Sequence, residues 1–339
     1  MPICAVQTQC GGCPNLDLDS VLELEGKVAT VKGMFANVGI DFTPCYEKPR
    51  MRQLGYRSRI RMACVDGRID FFNTLKKNGC AVLNDSLFQA AAQLIEQTKA
   101  APELIGVSGA IELRVSDADD RIGLRTAFDF DVNGLKRALD KSWVLDTPSS
   151  KPQSLTYELL EDTFVDVPLR SFVQVNQPVM RQILFYLQQE AESLFSGGFS
   201  LLDLFSGFGP YTHTLDHYLT SAQLVEVNTF ACTAAKDQLE VHVEVFDGPV
   251  EENIARLQTA DLVIVNPGRA GLKETAELIE PLVGRALIYI SCNPETLAPD
   301  LEVLASQGLQ PVKARCFDMF PGTQHIETVV TCAKSPRLD

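Results

Sequence analysis

From residue 176 onward the chain alternates strand-length apolar runs with amphipathic stretches, and no other feature constrains its fold as strongly. Runs at 199–205, 222–227, 261–265 and 286–290 are interleaved with helical spacing at 229–239 and 273–283, and a long amphipathic helix is expected from Asn176-Gln177-Pro178 to Leu194. Proline suits the first turn of a helix, where its missing N–H has no partner to lose. Strands that recur after helices lie parallel and are covered on both faces, so the pattern implies an α/β fold with a parallel doubly wound sheet. Such sheets place their chemistry just beyond the carboxyl ends of their strands.

The residues that follow each run are therefore the candidate site. The first run leads into Asp203-Leu204-Phe205-Ser206-Gly207-Phe208-Gly209-Pro210-Tyr211. Gly207 and Gly209 let the backbone pass close to a ligand, and Glu226 at the end of the next run can hold ribose hydroxyls. A dinucleotide would want a third glycine where Thr212 stands, so the Asp-x-Phe-x-Gly-x-Gly form suits S-adenosylmethionine better. The third run ends at Asn266-Pro267-Gly268-Arg269. The fourth ends at Ser291-Cys292-Asn293-Pro294, where Asn-Pro holds a cysteine in a constrained turn. A late string, Met319-Phe320-Pro321-Gly322-Thr323-Gln324-His325-Ile326-Glu327, adds a carboxylate with a histidine two residues away to orient it. His213, His217 and His242 fall on or near expected helices and read as surface or packing residues.

The first half reads differently. Cys4, Cys10 and Cys13 follow a C-x5-C-x2-C pattern, with Gly11-Gly12 freeing the backbone between the last two. A fourth ligand is needed. Cys80 is the best placed, with Cys45 and Cys64 as alternatives, and four thiolates suit an iron–sulfur cluster or a structural zinc. A helix is expected over 18–38, two strands joined at Asp66-Gly67 over 56–72, a helix over 86–104, and short strands and turns over 106–170. Net charge is −14, which by itself argues against a nucleic-acid partner, yet residues 46–80 hold nine basic and three acidic residues. A basic island in an acidic chain can focus a polyanion onto one face. The ten cysteines suit a reducing compartment, and the N-terminus shows neither the basic flank nor the apolar core of a signal peptide. No stretch approaches the roughly 18–20 apolar residues of a membrane span. The expectation is a monomer in the cytoplasm, with no membrane partner.

These strings together resemble the RNA uridine C5-methyltransferase family. The short branch that modifies 23S ribosomal RNA and lacks an N-terminal TRAM domain is the nearest match. The resemblance spans nearly the whole chain and rests on the N-terminal cysteines, Tyr56-Arg57-Ser58-Arg59, Ser171-Phe172-Val173-Gln174-Val175-Asn176, the glycine loop, Glu226, Asn266-Pro267-Gly268-Arg269, Ser291-Cys292-Asn293-Pro294 and the Met-Phe-Pro string. It implies a Rossmann-like, S-adenosylmethionine-dependent catalytic domain at 169–339. A smaller β-rich, iron–sulfur-bearing, RNA-binding region is implied at 1–168, with the helix after the cysteines packing back on the catalytic domain. It further implies that Gln174, Gly207, Gly209, Glu226 and Asn266 contact or border S-adenosylmethionine and the target base. Cys292 would be the nucleophile and Glu327 the general base, and Cys4, Cys10, Cys13 and Cys80 would bind a [4Fe–4S] cluster. The RNA partner would be ribosomal, with transfer RNA as the alternative.

The chemistry matches the residue types. Uracil C5 is a poor nucleophile, and thiolate addition at C6 gives C5 carbanion character, splitting one hard step into two. A base then removes the C5 proton and the thiolate leaves. Two departures stand out: the family reads Asp-Pro-Pro-Arg where this chain has Asn266-Pro267-Gly268-Arg269, and it commonly has arginine at Pro299. They keep open a non-catalytic or weakened RNA-binding homologue. An amino-methyltransferase built on Asn266-Pro267 would want an aromatic residue where Arg269 stands, and would have no use for Cys292 with Glu327.

Overall fold

Asp66 and Gly67 both take left-handed backbone, with φ of 48° and 73°, the pair of conformations that a tight, right-twisted hairpin requires. They join β1 (Arg59–Val65) to β2 (Arg68–Asp70). The computed structural model describes residues 3–4, 7–49, 53–70, 79–99, 106–130, 134–135, 139, 141–160, 162–239 and 242–334. The expected strand residues 71–72 and the basic residues Arg50, Arg52, Lys76 and Lys77 lie outside that set. The chain divides into two compact units.

The first unit draws on Met1–Asp17, Arg52–Met180 and Pro321–Thr323. Its sheet runs β2-β1-β3-β4-β5, with β3 (Gly109–Val115), β4 (Ile122–Thr126) and β5 (Trp143–Asp146). In β1 the alternation is clean: Ile60, Met62 and Cys64 point into the core, while Arg61, Ala63 and Val65 face out. Helix Asp85–Thr98, capped by the Asn84 side chain accepting from Leu87 N, covers the inner face with Leu87, Ala90, Ala91, Leu94 and Ile95. A separate ribbon pairs β6 (Ser154–Glu158) with β7 (Phe164–Pro168).

The second unit draws on Leu18–Met51, Arg181–Phe320 and Gln324–Asp339. Helix Ser20–Asn37 belongs to it. The Asp19 side chain caps that helix, and Leu24, Val28, Val31 and Phe35 enter the same core as Leu204, Val225, Val265 and Tyr289. The sheet contains β8 (Phe199–Leu204), β9 (Leu219–Glu226), β10 (Val243–Asp247), β11 (Ala260–Val265), β12 (Val283–Ser291), β13 (Leu309–Phe317) and β14 (Glu327–Lys334). Their order is β10-β9-β8-β11-β12-β14-β13. The first five are mutually parallel, as the alternation implies.

The end of the sheet departs from the all-parallel expectation. β14 runs antiparallel between β12 and β13. Neither β13 nor β14 is evident from periodicity. β14 has six successive buried residues, so no alternation marks it. β13 carries Pro311 at a register shift, which suits a strand at the sheet's edge. The helix expected at 273–283 is broken into short turns, Lys273–Thr275, Ala276–Ile279 and Glu280–Leu282, because Pro281 cannot donate to a continuing helix. Among the described residues no helix is long and apolar enough to cross a membrane.

Candidate active site

Four strand ends of the second unit, those of β8, β9, β11 and β12, carry the candidate site. After β8, Phe205 sits at φ 59°, Gly207 at 58° and Gly209 at 79°. A Cβ on Gly207 would meet nothing within 4 Å, so this glycine answers a backbone conformation and leaves open space. A Cβ on Gly209 would press on Leu224 and Leu239, so that glycine also serves packing. Glu226 ties the loop down, accepting from Gly207 N at 2.8 Å and from Asn228 N at 2.7 Å. Each carboxylate oxygen keeps a lone pair for a ligand hydroxyl.

Of two further residues here, Asp203 reads in sequence only as part of the glycine-loop string and Val227 escapes the sequence reading. Asp203 is fully buried, accepts from Thr212 Oγ1 at 2.9 Å, and leaves Oδ1 without a partner among the described residues. Burial pushes its carboxyl up to about 7. Its partner explains why threonine stands at 212. Val227, beside Glu226, is 66% exposed, an apolar surface at a strand end where a ring could lie. An exposed valine at a strand terminus gives no signal in sequence.

After β11, Asn266 takes its backbone N–H to Leu204 O and donates from Nδ2 to the buried Tyr211 hydroxyl at 2.6 Å. Gly268 has nothing within 4 Å of a Cβ position, so packing does not demand glycine in place of the family's proline. The next residue, Arg269, reaches His325 Nε2 from Nη2 at 3.2 Å.

After β12 comes Cys292, half-buried. Burial raises its pKa most, the Glu327 carboxylate raises it further, and Arg269 opposes both with its charge and a hydrogen bond. Glu327 begins β14. It is 1% exposed, and its Oε2 has no partner among the described residues. Burial pushes its carboxyl up to about 8. The β12–β14 ladder ends with Ser291 opposite Thr328. Cys292 directly follows Ser291 and Glu327 directly precedes Thr328, so the two residues adjoin the last pair of that ladder. The string before Glu327 is braced by Lys27, whose Nζ meets Asp318 at 2.7 Å and the Phe320 carbonyl at 3.2 Å.

The remaining expected site residues lie in the first unit. Gln174 is half-buried, with its carbonyl accepting from Gln177 Nε2 at 2.7 Å. Cys4, Cys10, Cys13 and Cys80 are half-buried free thiols. Burial and the neighbouring Cys80, Cys10 and Cys4 push Cys13 up to about 11, with Arg57 opposing. Backbone bonds from Gly55 N to Ala81 O and from Arg57 N to Val82 O bring the Cys80 segment beside Arg57. Among the described residues, however, no three His, Cys, Asp or Glu side chains are arranged as a ligand set for a metal ion. Cys64 is buried in β1, and Cys45 belongs to the second unit, where its backbone pairs with Ala314 and Cys316.

The crystal structure of the Pyrococcus abyssi tRNA (uracil-54, C5)-methyltransferase in complex with S-adenosyl-L-homocysteine is similar to this one, with a TM-score of 0.71 at 21% identity. The match covers 95% of this chain and 85% of that one. The fold is thus that of an S-adenosylmethionine-dependent methyltransferase. A family model described as tRNA (Uracil-5-)-methyltransferase matches residues 252–335, which hold Asn266, Cys292 and Glu327. The 23S rRNA (uracil(1939)-C(5))-methyltransferase of Aliivibrio fischeri is 24% identical over 363 residues, covering 97% of this chain and 81% of the relative. The 23S rRNA (uracil(747)-C(5))-methyltransferase of a Shewanella species is 36% identical over 188 residues, covering 52% and 47%. The chain is thus similar to RNA uracil-C5-methyltransferases, most specifically over the stretch that holds Asn266, Cys292 and Glu327.

Proposed function

We propose that the protein methylates C5 of a uridine in RNA, with Cys292 as nucleophile and Glu327 as general base. One observation carries this: a half-buried thiol and a buried carboxylate flank the last pair of the β12–β14 ladder, close enough for Glu327 to influence Cys292. Cys292 Sγ bonds to C6 of the uracil and the C5–C6 π electrons move to C5. C5 takes the methyl, Glu327 takes the C5 proton, and the C6–S bond breaks to restore the double bond. A positioned base of this kind is worth about 10²–10⁴-fold in rate. The uridine must leave its stack, at a cost of a few kcal/mol.

S-adenosylmethionine supplies the methyl on a positively charged sulfur. The open space at Gly207, the spare acceptor capacity of Glu226, the exposed Val227 and the orphan Oδ1 of Asp203 fit such a nucleoside with a cationic tail. Asn266, in place of aspartate, can still hydrogen-bond a base edge. In the first unit, Cys4, Cys10, Cys13 and Cys80 are the donor type that a [4Fe–4S] cluster takes, although among the described residues they are not drawn together as a ligand set. Bound there, a cluster would serve as a structural staple, and no step of the reaction passes through it.

Relatives named as 23S rRNA methyltransferases extend over nearly the whole chain, which favours ribosomal over transfer RNA. Mapping 5-methyluridine in total RNA, with the protein present, deleted, or carrying Cys292→Ala, tests the reading. One site should vanish in the deletion and stay absent with Cys292→Ala. An unchanged map, with RNA binding retained, would make the protein a non-catalytic homologue.

A further inference from the structure

The Cys292 thiol has two influences against its ionisation, burial and Glu327, and one charge in its favour, Arg269. Arg269 is built into place. Its carbonyl accepts from Asn293 Nδ2 at 3.0 Å and from Thr296 Oγ1 at 3.2 Å. Both belong to the start of the helix Pro294–Ser306, whose N-cap is Asn293 itself. The backbone of Arg269 is therefore tied to the same turn that carries Cys292. Downstream, Leu272 N donates to Asp300 Oδ2 at 2.7 Å, and Tyr289 donates to the same oxygen at 2.6 Å, so the 269–272 segment is held at both ends. The guanidinium bonds His325 Nε2 through Nη2 at 3.2 Å and lies near enough to Cys292 to favour its ionisation. Burial, Arg269 and Lys27 all lower the pKa of His325. A neutral His325 with its proton on Nδ1 can accept from Arg269 and fix its direction.

We infer that Arg269 is a positioning residue that directs and activates the Cys292 side chain, clamped by Asn293 and Thr296 at its backbone and by His325 at its guanidinium. An arginine fits this task because it stays charged and presents several donors in a fixed fork. The inference deepens the nucleophile reading of Cys292 and rests on it.

The test is the pH dependence of Cys292 alkylation by iodoacetamide, read by peptide mass on the full chain without RNA or cofactor. The ionisable groups acting on Cys292 are Glu327 on β14, Arg269 on its loop and Tyr289 on β12. Buried Cys332 reports unfolding, because it should label only if the core opens. Arg269→Gln should move the alkylation midpoint up by about one unit, slowing the reaction at neutral pH about tenfold. Arg269→Lys should recover most of the rate. A parent-like profile in Arg269→Gln with Cys332 still protected overturns the inference. Should Arg269→Gln expose Cys332, Arg269→Met is read in its place, and exposure of Cys332 in both would make Arg269 a folding residue and equally overturn it. The nucleophile reading fails separately, if Cys292→Ala still yields 5-methyluridine.

Discussion

Cys292 directly follows Ser291 and Glu327 directly precedes Thr328, and Ser291 and Thr328 are the last paired residues of the antiparallel β12–β14 ladder. The thiol is half-buried, while the carboxylate is enclosed and raised to about 8. That difference suits the tasks proposed for them, because a nucleophile must meet the base from outside and a general base acts on a single proton afterwards.

The order of those tasks predicts different failures. Glu327→Gln should allow addition and methyl transfer but stall before elimination, leaving protein and RNA joined. The joined species should survive denaturing gel electrophoresis, require S-adenosylmethionine and carry label from its methyl group. Cys292→Ala should give neither product nor adduct. Normal turnover by Glu327→Gln would remove Glu327 from the role of base.

Burial of Glu327 predicts a cost to folding at high pH. Its folded pKa, about 8, lies above the ordinary 4.5, so between these values the folded state binds more protons than the unfolded one. Stability contributed at this position is intact below about 4.5 and falls as pH rises towards 8. Glu327→Gln should remove that slope and stabilise the protein at pH 9 by about 1–3 kcal/mol, the cost of an unpaired buried polar group. Denaturant melts at pH 5 and pH 9 measure it. An equal effect at both would mean that the carboxyl ionises freely in the fold.

Anaerobically purified protein should contain iron at about four per chain and absorb broadly near 400 nm, as [4Fe–4S] proteins do. Cys80→Ser should bleach it. Stoichiometric zinc without iron would replace the cluster by a structural zinc site.

The basic island also gains a sharper test. Arg57 neighbours Cys13, and the Arg59 guanidinium lies over the Phe172 ring at 4.7 Å, so neither is a simple phosphate contact. Arg61 and Arg68 are exposed. Arg61→Glu with Arg68→Glu should weaken RNA binding and flatten its log–log salt slope by about 1.4, at roughly 0.7 for each lost contact to a single strand. Cofactor affinity should not change. Equal RNA affinity in variant and parent would make these arginines a solvated face.

The sequence by itself determined what local chemistry can specify. Apolar runs of strand length followed by helical spacing dictate four strands of the parallel core, β8, β9, β11 and β12, since period and turn residues act within a few residues of one another. The Asp66-Gly67 turn, the loop glycines Gly207 and Gly209, and the turn after Cys292 were legible for the same reason. Tertiary structure alone decided the antiparallel return of β14 between β12 and β13. A strand buried on both faces shows no alternation, and its neighbours are chosen by packing and ladder bonds far along the chain. That choice brings Glu327 near Cys292 and encloses its carboxylate, with Arg269 also near the thiol and bonded to His325. The orphan oxygen of Asp203, a residue legible only as part of its motif, and the exposed Val227 were likewise invisible beforehand, because each acquires meaning only from what surrounds it.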